Sequence, residues 1–221
     1  MATSVVTGAN RGIGLALVQL LKQRGDTVIA ACRRSSPALA QVGAEVVEDV
    51  DVASEEGVAA LAKAVGQRHV DLLINNAGIL VWGDTLEAPR YSDIERQFQV
   101  NALGPLRVTS ALRRNLAKGS KIALITSRMG SIGDNTSGGA YGYRMSKAAL
   151  NAAGKSMAED LKAAGIAVAI LHPGMVKTDM VGDHGQVEPV DAARGLLARI
   201  DELALNNTGS FWHANGQELP W

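Results

Sequence analysis

The chain has 221 residues, 47% of them apolar and 20% charged, enough for one domain with a full core. Lys plus Arg and Asp plus Glu balance at 22 each, so no net field favours nucleic acid or an anionic membrane surface. A single cysteine, Cys32, excludes an intramolecular disulfide framework and a cysteine-rich zinc site, and apolar runs of about ten residues are too short to span a bilayer.

A β-branched run, Ser4–Thr7, leads into Gly8-Ala9-Asn10-Arg11-Gly12-Ile13-Gly14 and then a helix over Gly14–Arg24, whose apolar period is carried by Leu15, Val18 and Leu21. Glycines between strand and helix let the backbone approach a pyrophosphate, whose charge can rest on free N–H groups at the helix start. The spacing is Gly-x-x-x-Gly-x-Gly rather than the Gly-x-Gly-x-x-Gly dinucleotide fingerprint, so an ordinary glycine-rich turn is the alternative.

A second strand, Thr27–Ala31, ends at Cys32-Arg33-Arg34. Cys32 lies 18 residues beyond Gly14, about where an NAD site places an acid on the ribose 2′-hydroxyl. No acid stands there. Arg33 and Arg11 suit a 2′-phosphate instead, so NADP(H) is the expected cofactor, with solvated surface arginines as the alternative. After a third strand, Glu45–Asp49, comes Asp51-Val52, where Asp51 either accepts from an adenine amino group or, like Ser54, caps the helix over Glu55–Val65.

The fourth strand, Leu72–Asn75, runs into Asn76-Ala77-Gly78. A long helix over Ser92–Leu116 carries Asn101, and a fifth strand, Lys121–Thr126, precedes the Gly/Ser-rich stretch Ser127–Gly142. Irregular stretches of that length are often functional. A helix over Tyr143–Ala164, a strand Ala167–His172, the run Pro173–Thr178, a helix Val190–Leu203 and a strand Ser210–His213 complete the chain. Most strands are continuously apolar, as in a parallel sheet covered on both faces. The alternation predicts an α/β fold, a doubly wound Rossmann-type parallel sheet of seven strands with helices on both faces, as one domain over residues 1–221.

Tyr143 and Lys147 are four residues apart and share a face of their helix. A neighbouring ammonium favours phenolate, which predicts a phenol titrating below its usual value of about 10 and able to donate a proton near neutral pH. The four histidines show no metal-ligand spacing, so no metal is expected. His172 reads as a strand-end hydrogen-bonder and His184 as a residue that can touch substrate.

Six motifs stand in order along an α/β pattern: Thr7-Gly8-x-x-x-Gly12-x-Gly14, Asn75-Asn76-Ala77-Gly78, Asn101, Ser127, Tyr143-x-x-x-Lys147 and Pro173-Gly174. Together they resemble the short-chain dehydrogenase/reductase family, from the first strand to the last. Gly8–Gly14, Met129–Asn135 and Gly216–Trp221 are similar to the sniffer and C-factor-like carbonyl reductases, which are generally NADPH-dependent.

The resemblance implies that Tyr143 is the general acid, that Lys147 lowers its pKa and bonds the nicotinamide ribose, and that Ser127 holds the substrate oxygen. Asn101 would hold a water beside the lysine through its main chain. Asn76, Ala77 and Gly78 would line the adenosine side, and the Val176 main chain and Thr178 beyond Pro173-Gly174 would hold the carboxamide. The Ser127–Tyr143 interval is longer than the family's usual one. Tyr141 and Ser146 read as lining or packing.

The segment from Thr178 to Val190 is short, which predicts an open site for a small-molecule carbonyl substrate, with Trp82, Met129, Ile132, Tyr141, Met175 and Met180 as wall candidates. A dinucleotide-binding regulator and a ketoacyl-thioester reductase are the alternatives. The helices over Ser92–Leu116 and Tyr143–Ala164 form the common dimer interface in the family, so a cytoplasmic homodimer or homotetramer is expected, without nucleic-acid or membrane partners.

Overall fold

A computed structural model describes residues 2–221. The first strand, β1 (Thr3–Thr7), is the third strand across a seven-stranded sheet. β2 (Thr27–Ala31) and β3 (Glu45–Val47) extend it to one side, and β4 (Leu72–Asn75), β5 (Lys121–Ile125), β6 (Ala167–His172) and β7 (Phe211–His213) to the other. The order is β3-β2-β1-β4-β5-β6-β7 and every pairing is parallel, which is the expected doubly wound sheet.

Alternate residues of each strand feed two cores. Val5, Leu73, Ile122, Leu124, Val168 and Ile170 pack with α3 (Glu55–Val65), α5 (Gly104–Ala111) and α6 (Tyr141–Lys162). Val6, Ile74, Ala123, Ile125, Ala169 and Leu171 pack with α1 (Gly12–Gln23) and α7 (Pro189–Asp201). The winding reverses between β1 and β4, which opens a crevice at the carboxyl ends of those strands. Among the described residues no helix is long and apolar enough to cross a membrane.

Several element ends move by one or two residues, with α1 beginning at Gly12 and α6 at Tyr141, and three departures have a local cause. A short helix, α2 (Pro37–Ala40), follows β2, capped by Ser36 Oγ, which accepts from Leu39 N at 3.1 Å. The third strand stops at Val47 instead of Asp49, because Asp49 adopts φ 59° and turns the chain. The long helix predicted over Ser92–Leu116 is broken into α4 (Tyr91–Phe98), a π-turn (Gln99–Leu103), α5 and a 3-10 turn (Arg113–Asn115).

The break has a local cause. Pro105 has no N–H to return to the carbonyl four residues back, that of Asn101, so the regular ladder cannot continue there. Gly104 then lets α5 approach α3's leading loop, since a Cβ on it would lie 2.8 Å from Val52 Cγ2.

Candidate active site

The turn from β1 into α1 is shaped by contacts that exclude side chains. A Cβ on Gly14 would lie 2.1 Å from the Gly8 carbonyl oxygen, and one on Gly8 would lie 2.8 Å from Ala77 Cα. Asn76 locks this turn: its Nδ2 donates to the carbonyls of Thr7 (3.0 Å) and Gly8 (3.1 Å). Thr7 Oγ1 in turn accepts from the N–H groups of Asn76 and Ala77, each at 3.1 Å. The start of α1 has no side-chain cap, which leaves its first N–H groups for an anion.

These residues line a cleft of about 930 Å³ at the carboxyl ends of the strands. Every cofactor residue expected from the sequence lines it except Gly174 and Val176. Val176 is buried and bridges Val187, and Gly174 takes φ 90° with the His213 ring 3.5 Å from where a Cβ would stand. Thr178 borders the glycine turn, because a Cβ on Gly12 would be 3.1 Å from its methyl group. The uncapped helix start, the glycine turn and Arg33 on one wall fit a phosphorylated dinucleotide.

Two expectations at the adenosine end need correcting. Arg11 does not stand free to join Arg33, because its guanidinium forms an ion pair with Asp179 on the opposite wall. The region is also not without acid: Glu48 Oε1 accepts from Ser35 N at 2.6 Å, and burial together with the Glu48 charge raises the Cys32 thiol pKa. Strand pairing brings Glu48 beside the end of β2, where sequence distance hid it. Arg33 remains exposed on the cleft wall. Asp51 accepts from Ala53 N at 2.9 Å, while Ser54 is the cap of α3, accepting from Gly57 N at 3.0 Å.

The floor of the cleft is the first turns of α6, where Tyr143 and Lys147 are 8% and 4% exposed. Lys147 Nζ donates to the Ile125 carbonyl at 2.9 Å and lies 5.8 Å from the centroid of the Tyr143 ring. Burial pushes the phenol up to about 12, against the pull of a hydrogen bond from Ser127. Burial also brings the Lys147 ammonium down to about 8. The expected depression of the phenol is therefore absent: loss of water dominates, and the ammonium's bond goes to a carbonyl.

Ser127 ends β5's extension and accepts from Met129 N at 3.1 Å. Asn101 sits in the π-turn, fully buried; its Oδ1 accepts from Ile79 N and its Nδ2 donates to Ile79 O, both at 2.8 Å, and also to Ser146 Oγ at 3.0 Å. With the side chain so occupied, only its main chain is left for other partners. Ser146 Oγ donates to the Tyr143 carbonyl at 2.8 Å, so this residue, read as packing, links Asn101 to the tyrosine's own turn.

Sequence reasoning missed Thr126 and Asn151. Thr126 Oγ1 donates to Asn151 Oδ1 at 2.6 Å, and Asn151 Nδ2 to the Gly130 carbonyl at 3.4 Å, which anchors the strand carrying Ser127 to α6. No spacing rule signals such a pair. His172 hydrogen-bonds at the strand end through its carbonyl, which accepts from Ala214 N at 2.8 Å, but not through Nδ1 of its ring, which is buried without a partner; the ring meets that of His213 edge-on at 4.9 Å, and burial pushes it down to about 3. Of the six wall candidates only Met180 lines the cleft, while Trp82, Ile132, Tyr141 and Met175 are exposed. Among the described residues no group of three His, Cys, Asp or Glu is placed to hold a metal ion.

The family model described as short chain dehydrogenase matches residues 2–189. The chain is 43% identical, over 100% of both chains, to the 1-hydroxy-2-glutathionyl-2-methyl-3-butene dehydrogenase of Rhodococcus sp. (strain AD45). It is 48% identical to the C-signal protein of Myxococcus xanthus, over 73% of this chain and 99% of that one. Among solved structures it resembles an NADPH-bound carbonyl reductase from chicken fatty liver, with TM-score 0.91, 30% identity and coverage of 100% and 99%. The carbonyl reductase Sniffer of D. melanogaster is similar at TM-score 0.90 and 30% identity, with both chains covered in full.

Proposed function

The chain belongs to the short-chain dehydrogenase family, and on that premise we propose that it is an NADPH-dependent oxidoreductase that reduces a ketone or aldehyde to an alcohol. The observation that carries this reading is the buried Tyr143 phenol, with Lys147 one turn on, at the floor of a cleft whose far end is an uncapped glycine-rich helix start. NADPH supplies the hydride when bound. Negative charge then grows on the carbonyl oxygen, and Ser127 and Tyr143 are the donors set where it grows.

Tyr143 gives up the phenolic proton. A pKa of about 12 keeps it protonated throughout the neutral range, as an acid must be. Lys147, charged below about pH 8, stabilises the phenolate left behind and stands to hold the nicotinamide ribose. Asn101 shapes the π-turn beside them and offers its main chain to a water that returns the proton. Asn76, Ala77 and Gly78 line the adenosine side, Pro173, Gly174, the Val176 main chain and Thr178 the nicotinamide side, and Arg33 the 2′-phosphate.

Replacing Tyr143 by Phe removes the proton and little else. Carbonyl-dependent oxidation of NADPH by Tyr143→Phe falls at least about 100-fold, the scale of a lost general acid, while NADPH binding measured by fluorescence persists. Wild-type protein that binds NADPH yet turns over no member of a ketone and aldehyde panel refutes the reading. The Rhodococcus relative's name makes a glutathionyl-bearing carbonyl a sensible panel member.

A second reading, a dinucleotide-binding signalling protein, is favoured by the C-signal relative. It requires that Tyr143→Phe keep biological activity, whereas pure binding needs no positioned acid. The chain acts as one catalytic unit over residues 1–221 on a small-molecule substrate, in the cytoplasm, as a homodimer or homotetramer built on α4, α5 and α6.

A further inference from the structure

We propose that Asp84 is a positioning residue that fixes the first turn of α6, and through it Tyr143; the link to catalysis rests on the carbonyl-reductase reading above. Asp84 lies in the irregular run between β4 and α4. Its neighbours Trp82, Gly83 and Thr85 through Tyr91 are exposed, yet Asp84 is only 4% exposed. Its Oδ2 accepts from Gly142 N at 2.7 Å, the residue before Tyr143 and 58 positions along the chain.

This contact is poorly accounted for by stability alone. A carboxylate taken out of water costs free energy unless its acceptors are filled. Asp84 Oδ1 is buried without a partner, and so is Nε2 of the fully buried Gln97. Both groups flank Gly142: a Cβ there would lie 2.5 Å from Gln97 Nε2. Gln97 Oε1 meanwhile accepts from Val81 N at 3.0 Å, so the run carrying Asp84 is tied to α4 just before it reaches α6.

The start of α6 needs holding from outside. It has no side-chain cap of its own, and its first residue follows three successive left-handed positions, Gly138 (φ 64°), Gly139 (φ 62°) and Ala140 (φ 48°). An alanine is strained in that conformation. Arg144 grips this turn from one side, donating to the carbonyls of Gly138 (3.3 Å) and Gly139 (3.2 Å). Asp84 grips it from the other, where a carboxylate also complements the positive end of the helix dipole. Tyr143 is the third residue of α6 and moves with this turn, whereas Lys147 is anchored one turn further in by Ile125. Loss of Asp84 therefore loosens the proton donor without disturbing the glycine turn or Lys147.

The test is hydrogen exchange and kinetics on Asp84→Ala, Asp84→Asn and Gly142→Ala. In Asp84→Ala, exchange at residues 141–145 quickens about tenfold or more while β5 and β6 stay protected. kcat for carbonyl reduction falls about 10- to 100-fold, the scale of a small misplacement, with NADPH Kd within about twofold. Asp84→Asn keeps an oxygen that can accept from Gly142 N–H and holds kcat within about threefold. Gly142→Ala, which pushes the same turn against Gln97, reproduces the loss of kcat at unchanged Kd.

Unchanged exchange at 141–145 in Asp84→Ala overturns the proposal, whether or not the protein reduces carbonyls. If Asp84→Ala cannot be folded, Asp84→Asn and Gly142→Ala decide: a wild-type exchange pattern and kcat in Gly142→Ala, or a loss in Asp84→Asn as large as in Gly142→Ala, is equally fatal. Absence of turnover in the wild type, with the exchange effect intact, sinks the catalytic reading and leaves Asp84's positioning of the turn standing.

Discussion

Tyr143 and Lys147 pull each other's titration less than their spacing suggests, because burial acts on each first. Folding lowers Lys147 from 10.5 to about 8, so between those pH values the unfolded chain holds a proton that the folded chain has released. Stability contributed by this residue therefore rises with pH across that window. Tyr143 works in the opposite sense higher up: its folded phenol, raised from 10.0 to about 12, keeps a proton that the unfolded phenol has lost, so stability falls above about pH 10. Measured by urea unfolding, wild-type stability relative to Lys147→Met should climb by about 2–3 kcal/mol between pH 8 and 10, since each tenfold change in proton affinity is worth about 1.4 kcal/mol. A flat difference across that range would show that the ammonium is not desolvated. The residues legible in the sequence, Gly8, Gly12, Gly14, Tyr143 and Lys147, carry local spacing signals. Thr7 with Asn76, and Thr126 with Asn151, were not legible, because their partners meet only once the strands are in register.

At the level of elements, the strands and most helices follow from apolar runs and periods, and the break in the predicted long helix does not. Its trace in the sequence is Gly104-Pro105, and its effect falls on Asn101, whose carbonyl that proline cannot bond. Periodicity favours a continuous helix over Ser92–Leu116, and the backbone donor count overrides it. Pro105→Ala restores the missing donor and should draw Gln99–Leu103 towards regular α geometry. That would shift Asn101 away from Ile79 and Ser146, with kcat falling about tenfold while the protein gains thermal stability. A Pro105→Ala crystal structure retaining the π-turn, with unchanged kcat, would remove the proline as its cause. The other element-scale surprise, Glu48 beside Ser35, arises because β3 pairs in parallel with β2, Val47 opposite Ala31, which brings the residues after the two strands together.

For the molecule as a whole, the sheet's two directions of winding meet at β1 and β4, and the cleft spans that junction. A ligand bound there stabilises only the folded chain, by RT ln(1 + [L]/Kd), about 2.7 kcal/mol at 100 times Kd. NADPH should raise the thermal midpoint more than NADH at equal concentration, and Arg33→Ala should erase most of that difference. Equal shifts in the wild type would leave the 2′-phosphate without a partner on this wall. The junction also bears on how the chain is made. The glycine turn is complete by Gly14, yet the wall it faces holds Thr178, and β1 is flanked by β4 only after residue 75. During synthesis the turn that cradles phosphate must wait, half-walled and without its opposite face, until Thr178 has emerged, more than 160 residues after Gly14, so the ability to bind a dinucleotide is acquired late.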